Sequence, residues 1–420
     1  MKVLWVISSV LPEIGKDCGI KHGVSGGWLT GAADALLENE SVDLTVCFCY
    51  ENDEFEGTVG KLKYYSFKTD GFYRYSKNAE IRLNNIISNE KPDIIHVFGT
   101  EYPHSLATLN VAENHGLLNG TVVSIQGLVS VIAKHYFSQL PKSLLHKNTI
   151  HDFLKRDSIY GQRNKFIKRG KYEIEALKKA QNVIGRTDWD EACTKSINEN
   201  LNYFHCNETL RKEFYSGLWN FDSCEKHSIF IGGCSYPIKG FHCILEMMPQ
   251  ILKKYPDARI YVPGQSPVEV CKFSNFLHRT YYQVYLKKII RKYQLEDRIF
   301  FMGNLSASEM KERMIKSNVY ILLSSIENSP NTLGEAMLLG VPCIASDVGG
   351  VRNLAEDKKD ALIYPFEESY MLPYYIDQIF GDEHLAKKIS ESARSHASVT
   401  HNQAVNNDCL LNIYKKLLRG

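Results

Sequence analysis

The feature that most constrains the fold is the regular alternation of short apolar runs with longer amphipathic stretches. Short apolar runs bounded by polar turn residues indicate buried strands, and the stretches between them are long enough for crossover helices. The predicted strands are 2–8, 42–48, 93–98, 121–125 and 182–185 in the first half, and 228–232, 258–262, 298–302, 318–323 and 342–345 in the second. The predicted helices are 27–39, 78–90, 240–254, 306–316, 333–340, 384–397 and 400–419. This pattern is typical of doubly wound parallel sheets, so we predict an α/β fold.

The strand pattern lapses at 205–227 and then starts again. Because 420 residues exceed what one hydrophobic core usually holds, we interpret the lapse as a linker. We predict two Rossmann-like domains, 1–215 and 216–399, with the helix 400–420 free to pack back on the first. If the two domains face each other, the carboxyl ends of both sheets meet at a cleft, where ligands of such folds bind.

Charge, cysteine spacing and hydropathy argue against nucleic-acid-binding, cysteine-metal and membrane-spanning proteins. Fifty basic and forty-eight acidic residues nearly cancel, so no overall field points to nucleic acid. The eleven cysteines show no metal-ligand spacing, and several, such as Cys47, Cys49, Cys234 and Cys343, lie in or beside apolar runs. They are typical of small buried side chains in a reducing compartment. No apolar run reaches the ~20 residues needed to span a bilayer, so we predict a cytoplasmic protein.

The segment 324–350, SSIENSPNTLGEAMLLGVPCIASDVGG, carries the strongest chemical signal. Glu327 follows a predicted buried strand, and Glu335 lies in the helix that comes after the next loop. Free amides at a helix N-terminus favour a phosphate, and a carboxylate within the helix can accept two hydrogen bonds from a ribose diol. Glu327, at the strand tip, could hold sugar hydroxyls. The competing interpretation is an N-cap loop followed by an ordinary amphipathic helix.

Glu327 and Glu335, together with Gly340-Val341-Pro342 and Asp347-Val348-Gly349-Gly350, resemble the donor-site signature of retaining GT-B glycosyltransferases of the family-4 type. This family includes bacterial polysaccharide and glycolipid sugar transferases and is related to sucrose and glycogen synthases. The resemblance implies that Glu327 contacts the transferred sugar and that Glu335 binds the ribose of the nucleotide. It also implies that the connecting loop binds the sugar and the diphosphate without a metal or other cofactor. The residues of that loop are Asn328, Ser329, Pro330, Asn331 and Thr332.

Lys239, followed by Gly240, resembles the basic phosphate site of the same family. A lysine ammonium opposite a diphosphate would neutralise the charge that builds on the leaving group, so Lys239 and Glu327 are the predicted catalytic residues. Many family members have an arginine six positions before this lysine, where this chain has Gly233. Either Arg186 takes the place of this arginine, or the diphosphate is bound by Lys239 and the helix terminus alone. The competing interpretation of Arg186 is a structural salt bridge.

A glycine-rich loop, 23–28, follows the first strand and opens a helix. Glycines allow close approach of the backbone to a ligand, and the resemblance implies that Gly26 and Gly27 lie near the donor phosphates and the acceptor. An ordinary turn would have the same composition.

The resemblance also leads us to expect a histidine near the transferred sugar, where this chain has Gln126. An amide cannot act as a base near neutral pH. The front-face reaction of this family needs none, because the leaving phosphate accepts the proton of the acceptor. His96 and His135 are further candidates for the vicinity of the sugar, although a lone histidine is more often structural. Asp188 and Asp190 have the spacing of a metal-binding Asp-x-Asp pair, but we interpret them as a helix start.

The basic stretch 151–180 contains nine Lys or Arg residues among apolar ones. It could rest on an anionic membrane at the inner face and reach a lipid-linked acceptor, or it could be a solvated helix face.

The sequence therefore predicts a retaining hexosyltransferase that transfers a sugar from a nucleotide sugar, most simply a UDP-sugar, to a saccharide or lipid-linked acceptor. The expected setting is the assembly of a bacterial surface polysaccharide, such as a capsule or exopolysaccharide. The alternatives are a nucleotide-sugar epimerase of the same fold, or a non-catalytic nucleotide-sugar sensor or membrane-surface adaptor. A phosphorylase would need a pyridoxal-binding lysine and a longer chain.

Overall fold

The computed structural model describes residues 1–20, 27–51, 53–71, 73–270 and 279–419. The chain divides into two compact units. The first comprises Met1–Ala133, Lys165–Arg211 and His401–Gly420, and the second comprises Lys134–Asn164 and Lys212–Thr400. Each unit is built on one predominantly parallel sheet with helices between its strands, which confirms the prediction of two Rossmann-like α/β domains.

The first sheet has eight strands within the described residues. They are β1 Lys2–Ile7, β2 Asp43–Cys49, β3 Glu56–Val59, β4 Leu62–Phe67, β5 Ile94–Phe98, β6 Thr121–Ser124, β7 Asn182–Gly185 and β8 Asn202–His205. Their order in the sheet is β3-β4-β2-β1-β5-β6-β7-β8, and only the β3–β4 pair is antiparallel. The central strands β1 and β5 are buried almost throughout, as expected for strands covered on both faces.

The second sheet has six strands within the described residues, in the order β11-β10-β9-β12-β13-β14. They are β9 Glu225–Ile231, β10 Arg259–Val262, β11 Ile299–Phe301, β12 Ser317–Leu322, β13 Cys343–Asp347 and β14 Leu362–Pro365. Every pair in this sheet is parallel. The strand order reverses between β9 and β12, and ligands of such sheets bind at the carboxyl ends of the strands at this switch point.

The helices connect the strands and pack on both sheets. They are α1 Pro12–Asp17, α2 Gly27–Glu38, α3 Lys77–Glu90, α4 His104–Asn114, α5 Val129–His135, α6 Lys142–Leu145, α7 Ile150–Lys155, α8 Ile159–Lys179, α9 Asp188–Ile197, α10 Phe241–Lys254, α11 Pro267–Val270, α12 Tyr281–Lys292, α13 Ala307–Lys316, α14 Asn331–Leu338, α15 Val351–Leu354, α16 Met371–Gly381, α17 Glu383–Thr400 and α18 Gln403–Leu417. Two 3-10 turns, Lys212–Tyr215 and Pro237–Lys239, flank β9. Among the helices of the described ranges, none is both long and apolar enough to cross a bilayer.

The second unit begins at Lys212 rather than at the predicted residue 216, and it also contains an earlier segment of the chain. Residues 134–164, predicted to belong to the first domain, belong to the second unit. The Ser138 hydroxyl lies 2.7 Å from the Ser325 hydroxyl, and the Asp152 carboxylate accepts a hydrogen bond of 2.8 Å from the Tyr281 amide. Because this segment contributes no strand, the strand pattern could not assign it to a sheet.

Residues 401–420 belong to the first unit, although the chain reaches them from the second. The indole N–H of Trp5, on the central strand β1, donates a hydrogen bond of 2.9 Å to the Tyr414 hydroxyl on α18. Both side chains are fully buried, so α18 completes the core on this face of the first sheet.

Candidate functional site

The two strands at the switch point of the second sheet lead directly into predicted site residues. β9 is followed by Gly232, Gly233 and the 3-10 turn that ends at Lys239. β12 is followed by Glu327 and then by α14. Neighbouring parallel strands place their carboxyl ends at the same edge, and this topology brings Lys239 and Glu327 together.

The side chains of Lys239 and Glu327 form an ion pair at this edge. The Lys239 ammonium lies 2.5 Å from Glu327 Oε1, and the Ser324 hydroxyl donates a hydrogen bond of 2.6 Å to the same oxygen. The Glu327 side chain is only 15% exposed, whereas that of Lys239 is 41% exposed. The edge therefore combines a sheltered carboxylate with a cation that solvent and ligands can reach.

The backbone around this ion pair is fixed by hydrogen bonds from both sides. The Ser325 amide donates a hydrogen bond of 2.8 Å to the Ile238 carbonyl, which ties the end of β12 to the turn that carries Lys239. The Ser346 hydroxyl on β13 donates a hydrogen bond of 2.6 Å to the Ser324 carbonyl. The exit of β12 is thus held by both of its neighbours.

Two glycines make the close packing of this edge possible. Gly240 and Gly349 both have a positive φ, and a Cβ at Gly349 would overlap the carbonyl oxygen of Glu327. A Cβ at Gly240 would likewise overlap the Leu323 carbonyl, and the Gly350 amide donates to the Glu327 carbonyl over 3.2 Å. The glycine pair 349–350 therefore approaches the backbone of Glu327 and fixes its position.

The helix α14 begins next to this pair and carries the second glutamate. Pro330 precedes the helix without a side-chain cap, and the first turn contains no acidic residue, so the positive end of the helix dipole is not neutralised by its own side chains. The Thr332 hydroxyl accepts a hydrogen bond of 3.0 Å from the buried Tyr320 hydroxyl. Glu335 is 2% exposed, and the loop residues Asn328 and Ser329 are also buried.

Gly233, the position that lacks the expected arginine, faces open space. A Cβ there would meet no atom within 4 Å, in contrast to Gly232, where it would contact Tyr320 and Thr332. The fold would therefore accommodate a side chain at Gly233.

Arg186 and Gln126, both predicted near the ligand, meet in the first unit around a shared carboxylate. The Arg186 guanidinium lies 2.7 Å from Glu208 Oε2, and the Gln126 amide donates a hydrogen bond of 2.6 Å to Glu208 Oε1. Arg186 is only 6% exposed. This ion pair accounts for the burial of Arg186, and its role as the substitute phosphate ligand stays a prediction.

The two candidate histidines have different surroundings. His96 is buried on β5 in the first unit, where its ring nitrogens contact the hydroxyls of Tyr414 at 2.6 Å and Ser124 at 2.7 Å. Burial lowers the pKa of His96 to about 3, so its imidazole is neutral at physiological pH. His135 has an exposed side chain in the second unit, and its carbonyl accepts a hydrogen bond of 3.2 Å from the Ser325 hydroxyl.

Two further predictions concern the starts of helices. Gly26 lies outside the described residues, whereas Gly27 is the first residue of α2. Asp188 and Asp190 lie in the first turn of α9, which Thr187 caps by accepting a hydrogen bond from the Asp190 amide. The Asp190 carboxylate accepts hydrogen bonds from the Arg186 amide and the Tyr203 hydroxyl, so it is part of a helix start as predicted.

The sequence analysis assigned no site role to three residues at the carboxyl edge of the first sheet. Glu208 joins Arg186 to Gln126, and burial raises the pKa of Glu101, which follows β5, to about 7. Thr209 lines a cavity with Arg186 and Glu208, and its buried hydroxyl has no hydrogen-bond partner among the described residues. The position of Glu101 just after a buried strand was the available signal; Glu208 and Thr209 follow β8, which the analysis did not predict.

Comparisons with known proteins show which proteins the second unit resembles. Residues 213–396, most of the second unit, match the family described as Glycosyl transferases group 1. The putative glycosyltransferase YtcC of Bacillus subtilis is 28% identical over 178 residues, which are 41% of this chain and 41% of YtcC. The chain thus spans about two fifths of the length of that relative.

Solved structures match over nearly the whole chain. Sucrose-phosphate synthase from Thermosynechococcus elongatus superposes with a TM-score of 0.72 at 14% identity, covering 100% of this chain and 99% of that protein. HepE from Anabaena, solved in complex with UDP, gives a TM-score of 0.67 at 14% identity, covering 99% and 100% of the two chains. Residues 213–396 are thus similar to the group 1 glycosyl transferases, and the chain as a whole has the fold of the GT-B glycosyltransferases.

Proposed function

We propose that this protein is a retaining glycosyltransferase that transfers a hexose from a UDP-sugar to a saccharide or lipid-linked acceptor in the synthesis of a bacterial surface polysaccharide. The observation that carries the proposal is the edge of the second sheet, where Lys239, Glu327 and the start of α14 adjoin a buried Glu335. UDP as the nucleotide is supported by HepE, a protein of the same fold that was solved with UDP.

In the proposed donor complex, the diphosphate lies between Lys239 and the first amides of α14. A diphosphate carries more negative charge than the Glu327 carboxylate, so it would compete for the exposed Lys239 ammonium. Release of Glu327 from the ion pair would leave its carboxylate free to accept hydrogen bonds from hydroxyls of the transferred sugar. The buried Glu335 would accept hydrogen bonds from the ribose diol. The positive charge comes from protein groups, so we propose that no metal is needed.

The proposed reaction is a front-face displacement at the anomeric carbon. The bond from that carbon to the diphosphate oxygen breaks, and a bond to the acceptor oxygen forms on the same face. The proton of the acceptor hydroxyl passes to the departing diphosphate, so atoms and charge balance without an enzymic base. Lys239 stabilises the negative charge that grows on the leaving group.

The acceptor half of the proposal rests on the first unit. The edge formed by Gln126, Arg186 and Glu208 adjoins a cavity lined by Thr209, whose hydroxyl has no hydrogen-bond partner within the described part of the chain. These groups offer donors and acceptors that suit a polyhydroxylated molecule. Gln126, Glu208 and Thr209, together with Gly27, are the proposed acceptor contacts, and Arg186 remains the proposed substitute for the phosphate-site arginine.

The experiment is an assay of nucleoside diphosphate release from UDP-, GDP- and ADP-sugars, with saccharide acceptors and with excess EDTA. We expect release from the UDP-sugar, insensitive to EDTA, and a product with the anomeric configuration of the donor by NMR. Lys239→Ala should lower kcat by about 100-fold or more and change donor affinity less, because the charge acts mainly on the leaving group.

The matched control is Lys253→Ala, which removes an exposed lysine from α10 in the same unit and should leave kcat unchanged. Inversion of configuration would refute the retaining mechanism. Absence of release from every nucleotide sugar would favour a non-catalytic nucleotide-sugar sensor.

A further inference from the structure

The exposed surface of α7 carries an unusual concentration of large apolar side chains. Ile150 is 45% exposed, Phe153 is 78% exposed and Leu154 is 67% exposed. Within the described ranges, no other window of five residues contains three large exposed apolar side chains. Single exposed apolar residues are common on protein surfaces, but a cluster indicates an interaction site. We call these three residues the α7 tip.

The α7 tip is held in place by the helix that carries it. Thr149 and Asp152 form a capping box at the start of α7. The Thr149 hydroxyl also donates a hydrogen bond of 2.7 Å to the Arg279 carbonyl, and Asp152 accepts one of 2.8 Å from the Tyr281 amide at the start of α12. Asp152 is fully buried in this arrangement. The helix is therefore anchored to the second unit, and the exposure of its apolar side chains is built into the fold.

The exposed charges next to the α7 tip are basic, whereas the carboxylate of Asp157, which follows Arg156, is half-buried and accepts a hydrogen bond of 3.2 Å from the Gln162 amide. Lys147, Lys155 and Arg156 are exposed and lie within a few residues of it, and none of the three forms an ion pair among the described residues. The stretch 142–156 contains one carboxylate, that of Asp152, which is buried and bonded to backbone amides. The surface is thus an apolar centre beside three exposed basic groups, those of Lys147, Lys155 and Arg156, which we call the basic rim.

We propose that the α7 tip and the basic rim form a docking site for an anionic lipid bilayer. Apolar side chains enter the interfacial region of a bilayer, while lysine and arginine bind the lipid phosphates. Three side chains on a six-residue helix cover far less than the roughly 800 Å² per partner that a stable protein interface needs. A bilayer surface has no such minimum, since each inserted side chain and each basic group adds to the binding independently.

The structure reduces the number of residues in the basic stretch 151–180 that could contact a membrane. The C-terminal part of α8 packs into the core of the first unit through Ala176 and Leu177, and Phe166 packs against the Arg169 guanidinium. Ala176 and Leu177 are thus not available to a bilayer, and Phe166 is half-buried. The most exposed apolar side chains of the stretch are Phe153 and Leu154 of the α7 tip, whereas Ile167 on α8 is 37% exposed.

The biological purpose of this docking site, to bring the enzyme to a lipid-linked acceptor, rests on the proposed function. Docking itself can be measured without turnover. Failure of sugar transfer with intact vesicle binding would count against the proposed function alone, and the reverse result would count against the docking site alone.

The test is co-sedimentation of the full chain with vesicles of phosphatidylcholine, with and without phosphatidylglycerol. We expect binding to the vesicles that contain phosphatidylglycerol, weakened by added salt because the screening length shortens. The variant Phe153→Ser/Leu154→Ser should bind these vesicles about tenfold more weakly, since two inserted apolar side chains are lost. Lys155→Gln/Arg156→Gln should weaken binding and reduce its dependence on salt.

The matched control is Val399→Ser, which removes an equally exposed apolar side chain from the same unit; Val399 is 75% exposed. It should bind vesicles like the wild type. Each variant should keep the melting temperature of the wild type, which excludes loss of folding. Equal binding to both kinds of vesicle, or unchanged binding of the two double variants, would overturn the proposal. Self-association that the Phe153→Ser/Leu154→Ser variant abolishes, without vesicle binding, would assign the tip to a second copy of the chain.

Discussion

At the scale of single residues, the candidate donor edge depends as much on backbone positions as on charged side chains. Glu327 is held through its carbonyl by Gly350 and through its carboxylate by Lys239 and Ser324. Gly349 allows this arrangement because it has a positive φ and no Cβ. The sequence indicated glycines suited to close approach, and the structure identifies the partner of that approach as the Glu327 backbone.

Gly349→Ala should therefore destabilise the second unit and disturb the donor edge. An alanine at this φ is strained, and its Cβ would overlap the Glu327 carbonyl oxygen. We expect a loss of about 2 kcal/mol or more in the free energy of unfolding. Chemical denaturation measures this change.

Gly233→Ala is the control for this prediction. Gly233 lies at the same edge but has room for a Cβ and no positive φ, so its replacement should change the free energy of unfolding by no more than about 0.5 kcal/mol. Equal effects of the two substitutions would show that the contact with Glu327 is not the cause.

The role of a residue was harder to predict when its partner lies elsewhere in the sequence. The sequence offered Arg186 as a phosphate ligand because it follows a strand, but the structure pairs it with Glu208. His96 is likewise occupied by Tyr414, which lies 318 positions further along the chain. Such pairs depend on the packing of elements, which local sequence does not contain.

At the scale of elements, the sequence was most informative where strands are buried on both faces. The predicted runs 93–98 and 318–323 overlap β5 and β12 closely, and every residue of these two strands is buried. The strands that were not predicted lie at or next to the sheet edges. They are β3, β4 and β8 in the first sheet and β14 in the second.

Three of the missed strands, β3, β4 and β8, lack the continuous apolar run that the prediction required, whereas β14 (LIYP) has one and was overlooked. β3 (EGTV) and β8 (NYFH) are polar and partly exposed, because only one neighbouring strand covers each of them. β4 (LKYYSF) has buried and half-buried residues in alternation, which resembles a surface strand or part of a helix in an isolated sequence. Exposed or half-buried polar positions thus explain why β3, β4 and β8 were missed.

At the scale of the whole molecule, the two Rossmann-like domains and the location of the donor signature could be predicted from the sequence. The assignment of 134–164 to the second unit could not, because it depends on contacts such as that between Ser138 and Ser325. The predicted donor residues of the second unit lie in one local stretch and one turn, whereas the residues around Glu208 follow several separate strands.

Buried histidines should make the stability of the whole protein depend on pH. Burial lowers the pKa of His104 to about 4, below the 6.5 of the exposed side chain. Below pH 6.5 the unfolded chain binds a proton that the folded chain does not, so stability falls as the pH falls through this range. Glu101 has the opposite effect, because its pKa is raised to about 7 and the folded chain retains its proton.

A comparison of variants separates these opposing contributions. Between pH 7 and pH 5, the free energy of unfolding of His104→Phe should fall by about 2 kcal/mol less than that of the wild type. The variant lacks the histidine whose protonation stabilises the unfolded chain. Glu101→Gln should lose more stability than the wild type over the same range. Denaturant titrations at the two pH values measure both differences. The same change in the free energy of unfolding for the wild type and both variants would contradict the roles given to His104 and Glu101.

The central claim is that the second unit binds a nucleotide sugar through Glu335, and calorimetric titration of the full chain tests it most directly. Wild type, Glu335→Ala and Glu367→Ala, which alters an exposed glutamate of the same unit, would each be titrated with UDP, GDP and ADP. We predict that UDP binds to the wild type and to Glu367→Ala, and that Glu335→Ala weakens this binding by roughly 2–4 kcal/mol through the lost ribose contact. Equal affinity of the wild type and Glu335→Ala, or no binding of any nucleotide, would contradict the account.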